Sequence, residues 1–179
     1  KINGAPLLII YRADLFLNLK KTISTWKSIC YENGINDIKI AIVQSFGFKN
    51  PREVEGDYAI EFPPHNLNVG TINSRVKKLN KNFKGNIYSY KEVVDKSLGI
   101  KPIEFKLFRG CMLQWDNTPR RLENANIFHE FSIKEYMKWL YKCVEYSHYF
   151  NEDEENFVFI NAWNEWGEGT YLEPDEKYG

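Results

Sequence analysis

Phe157-Val158-Phe159-Ile160-Asn161-Ala162-Trp163-Asn164-Glu165-Trp166-Gly167-Glu168-Gly169-Thr170 is the stretch whose reading decides the fold of this chain. Its first four residues are the aromatic and β-branched types that suit a strand buried on both faces. The polar, glycine-rich tail that follows would be costly inside a sheet, so it belongs at a solvent-facing rim beyond the strand. Glu165 and Glu168 therefore stand three residues apart at a sheet mouth, next to glycines that permit a tight turn and to two Trp rings. Carboxylates accept hydrogen bonds from hydroxyls and flat indole faces stack on sugars, so chemistry on a carbohydrate is expected here.

Outward from this stretch the chain alternates strands and helices. Residues 7–11 form a short apolar run typical of a buried strand. A helix is expected over residues 19–33, with Ile23, Trp26, Ile29 and Cys30 on one face and Gly34 placed to end it. Residues 38–43 form the next strand. Strand, helix and strand at this spacing mark a parallel sheet with crossover helices. Weaker strand signals cover residues 87–90 and 105–113, with little room for a long helix between them. Ser132 opens the clearest helix, because Glu135 stands in capping-box register and Ile133, Tyr136, Met137, Leu140, Tyr141 and Val144 recur at helical spacing. Residues 157–160 return as the last strand, expected parallel and central. Residues 66–85, with Arg75, Lys77, Lys78, Lys81 and Lys84, lack apolar periodicity and read as a solvated insertion. This pattern supports an α/β fold with parallel strands; five strands are too few to close an eight-stranded barrel.

Composition narrows the function classes. A chain of 179 residues suffices for one domain with a real core. Lys and Arg together number 24, as do Asp and Glu, so no net field favours nucleic acid or an anionic membrane. The 16% aromatic content serves either a bulky core or carbohydrate binding. Cys30, Cys111 and Cys143 are odd in number and widely spaced, which argues against a disulfide framework and a zinc site and predicts reduced thiols, as in the cytoplasm. No apolar run reaches the length of a membrane span, and no His-x-x-x-His, carboxylate triad or phosphate-cradling glycine loop appears. No metal or nucleotide cofactor is therefore expected. The chain starts at Lys1 without an initiator Met, so it is expected to be processed or a fragment.

The tail Asn-Ala-Trp-Asn-Glu-Trp-Gly-Glu-Gly-Thr-Tyr-Leu-Glu-Pro-Asp-Glu-Lys-Tyr-Gly resembles the C-terminal signature of the WbsX-type glycosyltransferase family, which is akin to the endo-α-mannosidase family of glycoside hydrolases. Three further stretches agree: Pro6-Leu7-Leu8-Ile9-Ile10-Tyr11-Arg12; Val43-Gln44-Ser45-Phe46-Gly47 with Glu61-Phe62-Pro63-Pro64-His65; and Trp115-Asp116-Asn117-Thr118-Pro119-Arg120. The resemblance implies the C-terminal part of a (β/α)8 TIM-like barrel, with residues 1–179 as one partial catalytic domain. It implies a bacterial enzyme acting on glycosidic bonds with retention, in surface polysaccharide (lipopolysaccharide or O-antigen) biosynthesis. An endo-α-mannosidase-like hydrolase and a non-catalytic glycan-binding barrel are the alternatives. By the same resemblance Glu165 deprotonates a sugar 2-hydroxyl, which attacks the anomeric carbon to give a 1,2-anhydro sugar. Glu168 protonates the departing oxygen and later activates the acceptor.

Other residues are candidates for substrate binding, each with a plainer alternative. Trp115 is a stacking platform, with Asp116, Asn117 and Arg120 as hydroxyl binders, or the segment is a Pro-containing Asx turn. Asn164 and Trp166 flank the acids. Tyr11 and Arg12 leave the first strand at the equivalent end, where Arg12 binds sugar or closes an ion pair at the rim. Gln44 ends the second strand as a binder or a satisfied polar group, and His65 follows Pro63-Pro64 as a binder or a turn residue.

Overall fold

The computed structural model describes residues 1–178, which form two compact units. One comprises residues 1–66, 101–110 and 143–159; the other comprises residues 67–100, 111–142 and 160–179, of which the last is outside the described residues.

The strands in chain order are β1 (Leu7–Ile10), β2 (Lys39–Gln44), β3 (Tyr58–Glu61), β4 (Asn86–Ser89), β5 (Lys106–Met112), β6 (Trp115–Asp116), β7 (Asn126–His129), β8 (Val158–Asn161), β9 (Asn164–Glu165) and β10 (Thr170–Tyr171). The α-helices are α1 (Leu19–Glu32), α2 (Tyr90–Leu98), α3 (Thr118–Arg121) and α4 (Ile133–Phe150). A five-stranded sheet has the order β1-β2-β3-β5-β8. β1, β2, β3 and β5 pair in parallel, with Ile10 opposite Ile42, Val43 opposite Ile60, and Ile60 opposite Phe108. The fold class is therefore α/β with a parallel sheet and crossover helices, as expected. β8 lies at the sheet edge rather than at its centre, because among the described residues no strand pairs on its other side.

In the first unit alternate strand residues serve two layers. Ala41, Val43, Tyr58, Ile60 and Phe108 form one buried cluster with Phe157 and Phe159, and Ile10, Ile40 and Ile42 pack with Leu19 and Ile23 of α1. Asn18 caps α1 by accepting from the Lys21 amide at 2.9 Å, and Gly34 follows with φ of +83°. The inward face of α1 is carried by Leu19 and Ile23, while Ile29 is exposed.

The second unit holds a sheet of order β4-β7-β6 and the β9–β10 hairpin. Here α2, capped by Ser89, occupies a region where little helix was expected, and it buries Tyr90, Val93, Val94 and Ser97. The segment before β4 runs along it: the Ile72 amide donates to the Ile87 carbonyl at 2.7 Å, and Asn73 Oδ1 accepts from the Ile87 amide at 2.7 Å. Ser132 caps α4 as predicted, its Oγ accepting from the Glu135 amide at 3.2 Å. The buried positions of α4 are Tyr136, Trp139, Cys143, Tyr146 and Ser147, whereas Ile133, Met137, Tyr141 and Val144 are exposed. The buried stripe is therefore rotated from the expected one. Among the described residues Cys30, Cys111 and Cys143 form no disulfide. Among the described residues no helix is long and apolar enough to cross a membrane.

Candidate active site

β8 ends at Asn161, whose carbonyl accepts from Thr170 Oγ1 at 2.8 Å in a buried bond. That bond and the pairing of β9 with β10, in which Glu165 faces Thr170 and Asn164 faces Tyr171, close the signature stretch into a hairpin. Its tip is the 3-10 turn Trp166–Glu168, followed by Gly169 at φ +62°. A side chain at Gly169 would set its Cβ 2.8 Å from the Asp116 carbonyl oxygen, so only glycine combines this left-handed backbone with this close approach. The short loop turns both acids toward the same neighbour.

That neighbour is Arg120 on α3. Its guanidinium donates from Nη2 to Glu165 Oε1 at 2.6 Å and from Nη1 to Glu168 Oε1 at 3.2 Å. Gly167 allows the arginine to lie flat, since a Cβ there would come 2.7 Å from Arg120 Nε. One cation thus serves two carboxylates. Burial pushes the Glu168 carboxyl above the ordinary glutamate range; Arg120 opposes the shift and the charge of Glu165 reinforces it. A carboxyl tuned upward beside a second carboxylate is the arrangement that acid and base division requires.

The aromatic surroundings differ from the sequence expectation at one position. Trp115, expected as a stacking platform, is only 6% exposed, and its indole N–H is buried without a hydrogen-bond partner, so the ring is packed inward. Trp163 and Trp166 are the exposed rings, at 60% and 52%. Trp166 packs on Tyr171 with centroids 4.0 Å apart and donates from Nε1 to Glu173 Oε2 at 3.1 Å, which fixes the indole next to Glu165. Asp116 Oδ1 accepts from the Thr118 amide at 2.9 Å, and buried Asn117 Oδ1 accepts from the Asn126 amide at 2.7 Å. Those two side chains shape the Pro-containing turn that presents Arg120. Asn164 is exposed on β9.

The sequence of this chain matches the Glycosyltransferase WbsX family model over residues 1–179. The chain belongs to the WbsX family. Two curated relatives, both described as "Uncharacterized protein WxcX" and drawn from two strains of Xanthomonas campestris pv. campestris, are each 34% identical over 180 residues. The alignments cover 100% of this chain but only 26% of each relative, so the chain spans about a quarter of their length. No solved structure matches it.

The remaining candidates of this WbsX chain lie in the first unit, at the C-terminal ends of β1 to β3. Arg12 pairs with Asp14 through two bonds of 2.7 and 2.8 Å and lies 3.9 Å over the Phe46 ring. Tyr11 meets Phe46 and Phe62 edge-on at 6.0 and 5.4 Å, and His65 packs on the same two rings at 4.7 and 6.1 Å. Burial holds the His65 imidazole below its ordinary pKa, with Arg12 adding to the effect. Gln44 Nε2 donates to the Lys49 carbonyl at 2.8 Å. Phe46 and Phe62 are site neighbours to which sequence alone assigns no role. Their signal was position: Phe62 follows directly on β3, and Phe46 lies two residues beyond the end of β2.

Proposed function

We propose that this WbsX chain carries the carboxylate centre of a glycosyl-transferring enzyme and forms the C-terminal part of a TIM-like barrel. The observation that supports the reading is the shared Arg120 contact on Glu165 and Glu168, with Glu168 tuned upward by burial. In the proposed reaction Glu165, in the carboxylate form, removes the proton of a sugar 2-hydroxyl. The freed oxygen attacks the anomeric carbon as the bond to the leaving group breaks. Glu168, whose pKa burial raises, protonates the departing oxygen. The acceptor hydroxyl then gives its proton to Glu168 and attacks the anomeric carbon, the bond from that carbon to the 2-oxygen breaks, and Glu165 returns its proton to the 2-oxygen, so two inversions yield net retention. Trp163 and Trp166 supply the stacking surface beside the pair. Within the first unit, Tyr11, Arg12, Gln44 and His65 are proposed separately as glycan contacts. The pathway this serves is bacterial surface polysaccharide biosynthesis, including lipopolysaccharide O-antigen.

The test uses the full-length enzyme. Glu165→Gln and Glu168→Gln should each lower turnover by about 100-fold or more while sugar affinity changes little, because shape is kept and only the titrating group is lost. A substrate whose leaving group needs no protonation should rescue the Glu168→Gln variant and not the Glu165→Gln variant. Full activity in both variants sinks the assignment. Release of free sugar in place of an extended glycan identifies a hydrolase.

A further inference from the structure

A pocket of about 230 Å3 in the second unit adjoins the carboxylate hairpin through Tyr171, whose ring packs on Trp166, but takes no part in the proton transfers. Leu113 and Tyr136 line it and are themselves buried, at 7% and 5% exposure. Phe131, Tyr171 and Tyr178 add three more rings, with Phe131 and Tyr178 edge to face at 5.7 Å. Two carboxylates, Glu173 and Asp175, also line it, and among the described residues no Lys, Arg or His does. Asp175 is fixed as an ionised group. Its Oδ2 accepts from the Tyr171 phenol at 2.7 Å, and its Oδ1 accepts from the Lys177 amide at 3.0 Å and from the Tyr178 amide. These bonds, the phenol's first among them, hold its carboxyl below the ordinary aspartate range. Glu173 is engaged through Oε2, which accepts from the Trp166 indole at 3.1 Å, so its Oε1 is left for a ligand.

Resting on the glycosyl-transfer reading, we propose that this pocket binds the ammonium group of an amino sugar in the glycan on which the enzyme acts. Two carboxylates with no cation lining the pocket beside them favour a positively charged ligand, and aromatic faces attract cations as well. One ring already does so: Lys177 Nζ lies 4.7 Å over the Tyr178 ring. An ammonium brings three donors and no acceptor, which suits a lining rich in carboxylate oxygens. Glu173 Oε1 takes one of those donors, and Asp175, whose oxygens are already occupied, contributes its charge. The apolar face of the sugar rests on the rings. The pocket is smaller than the about 300–1,000 Å3 of sites for drug-sized ligands, so it takes one sugar unit and not a chain. The same two acids repel an anionic sugar. Because Glu173 holds the Trp166 indole and Tyr171 packs on it, an amino sugar seated here is continuous with the stacking surface next to Glu165. The pocket thereby sets which glycan is chosen, while the glutamate pair sets the chemistry.

The full-length protein is titrated with glucosamine and galactosamine, with glucose and galactose as their neutral counterparts, and with the two N-acetylated sugars, and affinities are read by ligand-observed NMR. The free amines should bind at least about tenfold more tightly than the neutral hexoses, the effect of one charge-assisted bond. Glu173→Gln keeps an oxygen for the indole N–H and removes the charge, so it should cut that preference to about twofold or less. Tyr178→Ala removes a partly exposed ring and should weaken the amines more than the neutral hexoses. A thermal melt confirms that both variants stay folded. The proposal is overturned if the amines bind no more tightly than the neutral hexoses, or if Glu173→Gln keeps the full preference. It is also overturned if the N-acetylated sugars bind most tightly, which identifies an apolar substituent as the occupant. Loss of turnover in Glu165→Gln without any amine preference leaves the carboxylate reading standing and removes the pocket. An amine preference that depends on Glu173, with full turnover in both Glu165→Gln and Glu168→Gln, does the reverse.

Discussion

Glu155 in the first unit and Glu168 in the second sit in clusters of the same stoichiometry, one cation shared by two carboxylates, and burial is the first influence on both. Lys106 Nζ reaches both oxygens of Glu155 at 2.7 and 2.6 Å and Glu152 at 2.9 Å, as Arg120 reaches Glu168 and Glu165. Their acidities diverge nonetheless. Glu155, 2% exposed, receives a further bond of 2.7 Å from the Tyr58 phenol, and these bonds overcome the cost of burial to hold it below the ordinary glutamate range. Glu168 has one longer bond of 3.2 Å and a carboxylate close by, so burial prevails and its pKa rises. The number of charges does not separate a structural carboxylate from a titratable one. The completeness of its hydrogen bonds does.

The largest expected effect follows from breaking the saturated cluster. Glu155→Ala leaves the buried Tyr58 phenol without its partner and Lys106 without its main one, and it should cost about 3 kcal/mol of stability, a fall in Tm of about 6–12 °C. A change within about 2 °C in a calorimetric scan contradicts the structural role given to Glu155. Gly169→Ala comes next. The left-handed backbone and the 2.8 Å approach to the Asp116 carbonyl together predict a loss of about 1–2 kcal/mol from the backbone alone. The same substitution moves Glu168 off Arg120, so turnover should fall with stability, which it should not do in Glu155→Ala once the protein is folded. Glu168→Gln is the smallest of the three in stability, within about 1 kcal/mol, because the Arg120 pair is half-exposed.

The sequence carried the outline of this contrast unevenly. β1, β2, β5 and β8, together with α1 and α4, were legible from apolar runs and caps, since each buries enough apolar surface to leave a periodic mark. β3 was not, because Tyr58-Ala59-Ile60-Glu61 is four residues long and ends in an acid whose partner, Arg109, lies 48 positions away. α2 escaped for a similar reason: nine residues capped by Ser89 directly after a strand give no long periodic window. In α4 the expected stripe took in Met137 and Val144 and passed over Trp139, since several apolar positions compete there and only tertiary packing chooses among them. At the site, Glu165 and Glu168 were visible because a Gly-rich acidic tail after a strand is hard to explain structurally. The inward turn of Trp115 and the use of Asn117 by a backbone amide were not, since both depend on β7, which no pattern announced.

The two carboxylates should also impose opposite pH dependence on stability. Glu155 has a lowered folded-state pKa, so its contribution is fully present above the unfolded carboxyl value, about 4.3, and is lost as pH falls through the lower folded value. Glu168 has a raised folded-state pKa, so its contribution is present below about 4.3 and is lost as pH rises through the higher folded value. Neutral substitutions remove each slope. Relative to the parent protein, Glu155→Gln should grow less destabilising as the solution is acidified through the window below 4.3. Glu168→Gln should grow more favourable as pH rises through the window just above it. Denaturant titrations of both variants across this range measure the two slopes directly. Because Arg120 opposes the rise at Glu168, Arg120→Ala should move the upper window further from 4.3, in the alkaline direction, and leave the lower one where it is. Slopes of the same sign in the two glutamine variants break the comparison, since they mean that Glu168 is held ionised like Glu155 and lacks the proton that the proposed acid step requires.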